Sequence, residues 1–363
     1  TSNYERTKRI MAYTTINKSS LFMNPKLYTG NGSTQSITGV GFQPGFTWIK
    51  NRSDNWNHVA YDAVRGVTKQ LVPNENSAES TNANGLTAFG SDGFTVGNEG
   101  PVNYSSEKLV AWNWKAGTTS GLSGGTITPS SYSINSTSGL GIYKYTGTGS
   151  AGTIASGLPS VKCFIIKALD ASSNGWVVYH QDLGANKYLQ LDEDAAPYTG
   201  TSQFNDTAPT TSSTNSLISV GTAGSSNSNG RDYIMYAFSE LQGYSKFGSY
   251  TGNGNADGTF IYTGFKPSFV LQKQVTSAGE NWLMKDNKRG PLLLQDLPIN
   301  RLDANLLASA NTAETNADYI DLLSNGFKCR DNGGAQNGSG TNYIYITFGQ
   351  SIVGTNNVPA TAR

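Results

Sequence analysis

The sequence has two histidines, His58 and His180, whose imidazoles could act in acid–base catalysis near neutral pH. A Ser-His-Asp device would also need a nucleophile and an acid that orients the histidine. Asp182 follows His180 in the strand-like segment YHQD, but no nucleophile signature accompanies it, and glycine-rich strings such as GFTVG are not a nucleophile elbow. The histidines therefore do not predict a hydrolase.

Carboxylates are concentrated in the segment LDEDAA, where Asp192, Glu193 and Asp194 follow one another. Paired carboxylates could hydrolyse glycosidic bonds, but the preferred interpretation is a solvated acidic turn. The segment lacks the spacing of a calcium loop, and Cys163 and Cys329 have no partners at zinc spacing. We predict two free thiols, no metal and no cofactor.

A short motif of Asp, Arg and Gly occurs twice and is preceded each time by a tryptophan. One interpretation is a buried ion pair that pins a loop, with the tryptophan in the core. The other is a ligand site, because Asp and Arg bind sugar hydroxyls and carboxylates and an exposed tryptophan can stack on a sugar ring. The candidate ligand-binding residues are Trp56, Asp62, Arg65, Trp282, Asp286 and Arg289.

The elements that must position these residues are repeated along the chain. YTGNG at Tyr28 recurs at Tyr250, and each copy is followed by a Gly-Phe-x-Pro element, an apolar strand (FTWIK or FVLQK), a Ser-Asp/Asn-Gly-Phe turn and an aromatic strand (LVAWNW or YIYITF). A diverged middle copy runs through YTGTG, CFIIK and YIMYAF. A repeat of roughly 105 to 120 residues suits a small β-sandwich domain.

Composition supports an all-β fold. Only 14% of the 363 residues are charged, 42 are glycine, and long helical periodicities are missing. We predict three tandem antiparallel β-sandwich (jelly-roll) modules. The predicted boundaries are an N-terminal arm at 1–26, module 1 at 27–116, a flexible Gly/Ser/Thr-rich linker at 117–139, module 2 at 140–241, module 3 at 242–353 and a C-terminal tail at 354–363.

Charge and hydropathy exclude two classes of partner. The net charge is +1 and no basic run stands out, so we expect no nucleic-acid binding. No apolar run approaches the roughly 20 residues of a membrane helix, so we expect no membrane insertion.

The strings GFQPGFTWIKNRS, VAYDAVRGVTKQL, LTAFGSDGFTVG and LVAWNWKAG, together with the second half from YIMYAF to YIYITF, resemble a repeated module of tailed-bacteriophage tail-fibre and virion structural proteins, marine phages in particular. The resemblance covers about residues 11 to 350 and implies a concanavalin-A-like or SPRY-like sandwich that binds rather than catalyses. The middle copy departs from it, because it has HQDLGANKYLQL where the others have the Asp-Arg motif.

The resemblance implies a tail-fibre-like virion protein, not an enzyme, that binds a host-surface glycan or receptor. Its expected partners are other virion proteins and copies of itself, with a homotrimer favoured, and its expected location is the virion. The alternative is a capsid decoration or head-fibre protein that cements the particle without host binding. A depolymerising enzyme ranks third.

Overall fold

The computed structural model of the protein describes residues 13–289 and 301–353. The all-β prediction is confirmed, because the described residues form antiparallel strands joined by turns, with two 3-10 helices (Ser19–Leu21 and Gln181–Leu183) and one short helix, α1 (Gly100–Asn103). None of the helices in this part of the chain has the length and hydropathy to cross a membrane.

The named strands of the described residues pair in six sheets, and no sheet mixes strands of the three consecutive sets that we call modules 1, 2 and 3. Module 1 contains β1 Met23–Thr29, β2 Gln35–Thr38, β3 Phe46–Asn51, β4 Val59–Asp62, β5 Lys69–Gln70, β6 Ser80–Thr81, β7 Leu86–Gly90, β8 Gly93–Val96 and β9 Lys108–Trp114. Module 2 contains β10 Ser131–Asn135, β11 Leu140–Thr146, β12 Gly152–Ala155, β13 Val161–Ala168, β14 Val177–His180, β15 Lys187–Gln190, β16 Tyr198–Thr199, β17 Leu217–Val220 and β18 Asp232–Ser239. Module 3 contains β19 Ser245–Thr251, β20 Phe260–Tyr262, β21 Phe265–Gln274, β22 Leu283–Asp286, β23 Arg301–Leu307, β24 Thr315–Leu323, β25 Gly326–Cys329 and β26 Asn342–Ser351. This pairing supports our interpretation of three modules.

The same four-strand order recurs in each module. It is β1-β9-β3-β4 in module 1, β11-β18-β13-β14 in module 2 and β19-β26-β21-β22 in module 3. We call these four strands the inner sheet. The apolar strands β3, β13 and β21 lie between two neighbours and are almost wholly buried, as their runs of apolar residues predict.

Two predicted boundaries are wrong. The segment 117–139, predicted to be a flexible linker, contains β10, which pairs with β11, and its Ile127 is buried next to β12. The arm 1–26 contains the start of β1, and its described part packs on module 3, where the Ser19 amide donates to Gln350 Oε1 at 2.8 Å. Residues 1–12 and the tail 354–363 lie outside the described residues.

The buried apolar side chains of the described residues form four clusters. Three belong to single modules and fill the space between their two layers of strands. The fourth takes side chains from the inner sheets of all three modules, including contacts between Phe46 and Tyr236, Trp114 and Phe269, and Phe238 and Phe348. Burial of each aromatic side chain contributes about 1.5–3 kcal/mol. The modules are therefore held together by a shared aromatic core.

This shared core explains the pattern of the last strand of each module. Alternating aromatic and small residues in β9, β18 and β26 predict one buried and one less crowded face. In the structure both faces are buried, because one packs within the module and the other packs against the neighbouring modules.

Candidate functional site

The first predicted pair, Asp62 and Arg65, lies where β4 ends in a turn. Arg65 Nε donates to Asp62 Oδ2 at 2.5 Å, and Arg65 Nη1 donates to Glu79 at 3.0 Å and to the Lys69 carbonyl at 2.8 Å. Asp62 Oδ1 also accepts the backbone amides of Val64 and Arg65. The pair therefore pins the turn after β4 to the following strand.

The second pair, Asp286 and Arg289, repeats this geometry after β22. Arg289 Nε donates to Asp286 Oδ2 at 2.5 Å, Arg289 Nη1 donates to Glu314 at 3.1 Å, and the guanidinium lies 5.3 Å over the ring of Trp112. Burial alone would raise the pKa of Asp286, but the charge of Arg289 and the hydrogen bonds from Arg289 and Trp112 hold that pKa below its ordinary value.

The ligand interpretation of these pairs is not supported by their positions. The side chains of both Asp and both Arg residues are at most 1% exposed, so a dissolved ligand does not reach them. Trp282 is also fully buried. Trp56 is half-buried, and its ring packs on Tyr104 with the ring centroids 5.8 Å apart. The two Asp–Arg pairs are therefore buried ion pairs that hold loops in place, which is the first of the two interpretations.

Each pin also bonds to another module. Tyr236 of module 2 donates its hydroxyl to Asp62 of module 1 at 2.7 Å, and Trp112 of module 1 donates its indole N–H to Asp286 of module 3 at 2.9 Å. Strand register shows that the corresponding position of module 2 is His180, which faces Cys163 as Asp62 faces Phe46. His180 Nε2 lies 3.2 Å from the carbonyl of Tyr345 in module 3. The contacts run from module 1 to 2, from 2 to 3 and from 3 to 1, so they close a ring.

A second ring of hydrogen bonds uses the residue that precedes β4, β14 and β22. His58 of module 1 lies 3.0 Å from the Leu307 carbonyl of module 3, Trp282 of module 3 donates to the Gln190 carbonyl of module 2, and Trp176 of module 2 donates to the Val72 carbonyl of module 1. Sequence reasoning aligned Trp282 with Trp56, but the strand register aligns it with His58 and Trp176. The three modules are thus related by a pseudo-threefold arrangement.

Neither histidine is available as a base. Burial, and then the charge of Lys50, hold the pKa of His58 well below its ordinary value, and burial lowers the pKa of His180 to about 4. Nδ1 of His58 accepts the indole N–H of Trp48 at 2.9 Å, so the proton of the neutral ring lies on Nε2 and points at a backbone carbonyl. Both imidazoles are occupied in holding modules together.

The acidic segment is less solvated than predicted. Asp192 Oδ1 accepts the backbone amide of Trp176 at 2.7 Å, and burial raises the pKa of Asp192. Glu193 accepts hydrogen bonds from Gln190 and Tyr198, whereas Asp194 is exposed. Within residues 13–289 and 301–353 no three metal-ligating side chains converge, and the thiols of Cys163 and Cys329 are buried and unpaired, as predicted for the cysteines.

Sequence reasoning missed a buried asparagine that fixes the YTGNG turn in each module. Asn103, Asn227 and Asn337 are fully buried, and each accepts the backbone amide of a turn residue: Asn31, Thr148 or Asn253. The turn tyrosines Tyr28, Tyr145 and Tyr250 donate to the carbonyl of the residue before that asparagine. The signal was present as an Asn before each last strand, but its distance from the turn hid it.

Comparisons with known proteins give one result. Residues 18–351 match the family described as a domain of unknown function, DUF7483. No curated protein and no solved structure matches the chain. Because the match spans nearly the whole chain, from the 3-10 helix before β1 to the end of β26, the protein belongs to the DUF7483 family.

Proposed function

We propose that the protein is a structural component of a bacteriophage virion, tail-fibre-like, that binds the host surface through its β-sandwich modules. Other virion proteins are its partners, and a host-surface glycan or receptor is its ligand. The proposal assigns it no catalytic reaction.

The observation that carries this proposal is the closed ring of modules. Asp62, Asp286 and His180, three of the side chains that could have done chemistry, are instead buried between modules, where they hold one module to the next. Burial of these side chains between modules, within the described residues, is compatible with adhesion, and the sequence resembles tail-fibre modules. Tyrosine, asparagine and glycine are frequent in the chain, as in other adhesive protein surfaces.

The test locates the chain on the particle and measures adsorption. Gold-labelled antibody against the protein should bind at the tail, and purified protein should adsorb to host cells and compete with phage. Label on the head in hundreds of copies, with no competition, would instead identify a decoration protein. Shortening of host polysaccharide by the purified protein would refute the non-enzymatic assignment.

A further inference from the structure

A solvent-accessible groove of about 470 Å³ lies between modules 2 and 3. We call it the 2–3 groove and define it by Asp182, Glu240, Lys246, Phe260, Tyr262 and Tyr345. It adjoins a second groove of about 460 Å³, and Asp182, Ser249 and Tyr250 line both grooves. Each volume lies in the range of small-molecule sites, so the two grooves together could hold a ligand with more than one ring, such as an oligosaccharide.

Two aromatic rings are exposed on one face of β20 in this groove. Phe260 is 44% exposed and Tyr262 is 56% exposed, whereas Ile261 between them is buried. Large exposed aromatic rings side by side leave apolar area in water, and a ligand that covers them is favoured. The ammonium of Lys246 lies over the Tyr262 ring, 5.5 Å from its centroid.

The corresponding strands of the other modules carry no aromatic residue at these positions. Ile37 in β2 and Ile154 in β12 occupy the place of Ile261, because each pairs with the core residue of the adjoining strand. Their neighbours are Ser36 and Thr38 in module 1 and Thr153 and Ala155 in module 2. A strand at this place in a module therefore folds without aromatic residues. The presence of Phe260 and Tyr262 in β20 needs an explanation other than folding.

Polar groups with unused hydrogen-bonding capacity line the same groove. Tyr345 lines the groove, and its hydroxyl makes no hydrogen bond to another described residue. The carboxylate of Asp182 also accepts no hydrogen bond within the described part of the chain, and Glu240 accepts one from the Phe247 amide at 3.3 Å. Burial, then the negative charges of Glu240 and Asp182, raise the pKa of Tyr345, so its hydroxyl is a donor at neutral pH.

We propose that the 2–3 groove binds a neutral oligosaccharide. The apolar face of a pyranose ring packs on Phe260 and Tyr262, its hydroxyls donate to Asp182 and Glu240, and one of its oxygens accepts from Tyr345. Two carboxylates against one ammonium disfavour an acidic sugar. The inference rests on the proposed host-surface function and gives it a ligand class and a location different from the buried Asp–Arg pairs.

The test uses an immobilised array of neutral and acidic bacterial-surface oligosaccharides and the full chain. The variant F260S/Y262T introduces the residues of module 1 into module 3, and Ser36→Ala with Thr38→Ala in module 1 is the matched control. Wild type and control should bind the same neutral oligosaccharides, and F260S/Y262T should bind them about tenfold or more weakly. Asp182→Asn should also weaken the binding of these neutral oligosaccharides. Circular dichroism and Tm verify that each variant is folded.

Three results would overturn the inference: no neutral oligosaccharide bound by wild type, acidic sugars bound in preference, or equal binding by F260S/Y262T. The outcome is separable from that of the proposed function. If the wild type and F260S/Y262T compete equally well with phage for host cells, sugar binding in the 2–3 groove is refuted and the proposed host-surface function stands. If the protein lies on the phage head and still binds sugar through the 2–3 groove, the proposed tail-fibre function is refuted and sugar binding in the groove stands.

Discussion

Removal of a single hydroxyl at the boundary of modules 1 and 2 tests whether the ring of contacts stabilises the fold. Tyr236→Phe deletes the donor that lies 2.7 Å from Asp62 Oδ2 and leaves the aromatic ring in the shared core. A hydrogen bond to a charged group contributes about 1.5–3 kcal/mol. Asp62 keeps Arg65 and two backbone amides, so we expect a loss of about 2 kcal/mol in the free energy of unfolding.

The assay is chemical denaturation followed by tryptophan fluorescence, with Tm as a second measure. For a cooperative unit of this size the loss corresponds to a fall in Tm of about 3 °C. Tyr198→Phe is the matched control, because Tyr198 is 37% exposed and donates to Glu193 at 2.6 Å within one module. We expect the control to change the free energy of unfolding by less than about 0.5 kcal/mol.

A double-mutant cycle with Asp62→Asn isolates the contact between the two modules. The two substitutions should couple by about 1–2 kcal/mol, because the residues touch directly. Equal losses for Tyr236→Phe and Tyr198→Phe, or a coupling energy near zero, would show that this contact does not hold the modules together. Separate unfolding transitions for the modules would refute the shared core itself.

Three further predictions follow from buried groups. His180 takes up a proton near pH 6.5 in the unfolded chain but only near pH 4 in the folded protein. The free energy of unfolding should therefore fall by about 3 kcal/mol as the pH drops from above 6.5 to 4. In His180→Gln, Tm should fall less steeply over the same pH range. The buried Asn227 side chain hydrogen-bonds to Thr148, Ser150 and Gly221, so Asn227→Ala should cost about 3 kcal/mol in urea denaturation. Asn229→Ala, at an exposed position nearby, should cost almost nothing. Burial raises the pKa of the Cys329 thiol to about 12 and raises that of Cys163 further. A thiol reagent should therefore label neither cysteine in the native protein and both cysteines in denaturant. Rapid labelling of the native protein would contradict their burial.

Local patterns predicted the strands and turns of the all-β fold well. The apolar runs at Phe46 and Phe269 are central strands, and the turn glycines Gly32 and Gly254 have the positive φ that the repeated YTGNG motif predicts. These features depend on residues close together in the sequence, which is where pattern reasoning is strongest.

The contacts between modules could not be predicted in the same way. Whether Asp62 faces solvent or Tyr236 depends on how whole sheets pack, and nothing in the local sequence of Asp62 states this. The prediction of a flexible linker at 117–139 was wrong for a related reason. A segment rich in Gly, Ser and Thr can be a flexible chain or an edge strand, and the strand that pairs with β10 is β11, which begins after this segment. The candidate ligand residues were assigned from residue type, whereas Phe260 and Tyr262 attract notice only once their exposure is known.

The three modules are joined by covalent connections, and this changes how their assembly responds to concentration. A ring of separate subunits dissociates on dilution, because its interfaces form at the concentration of free chains. Here each module meets its neighbours at the effective concentration set by the short segments between Trp114 and Ser131 and between Ser239 and Ser245, which for short linkers is on the order of millimolar. The ring should therefore stay closed however few copies of the chain are present.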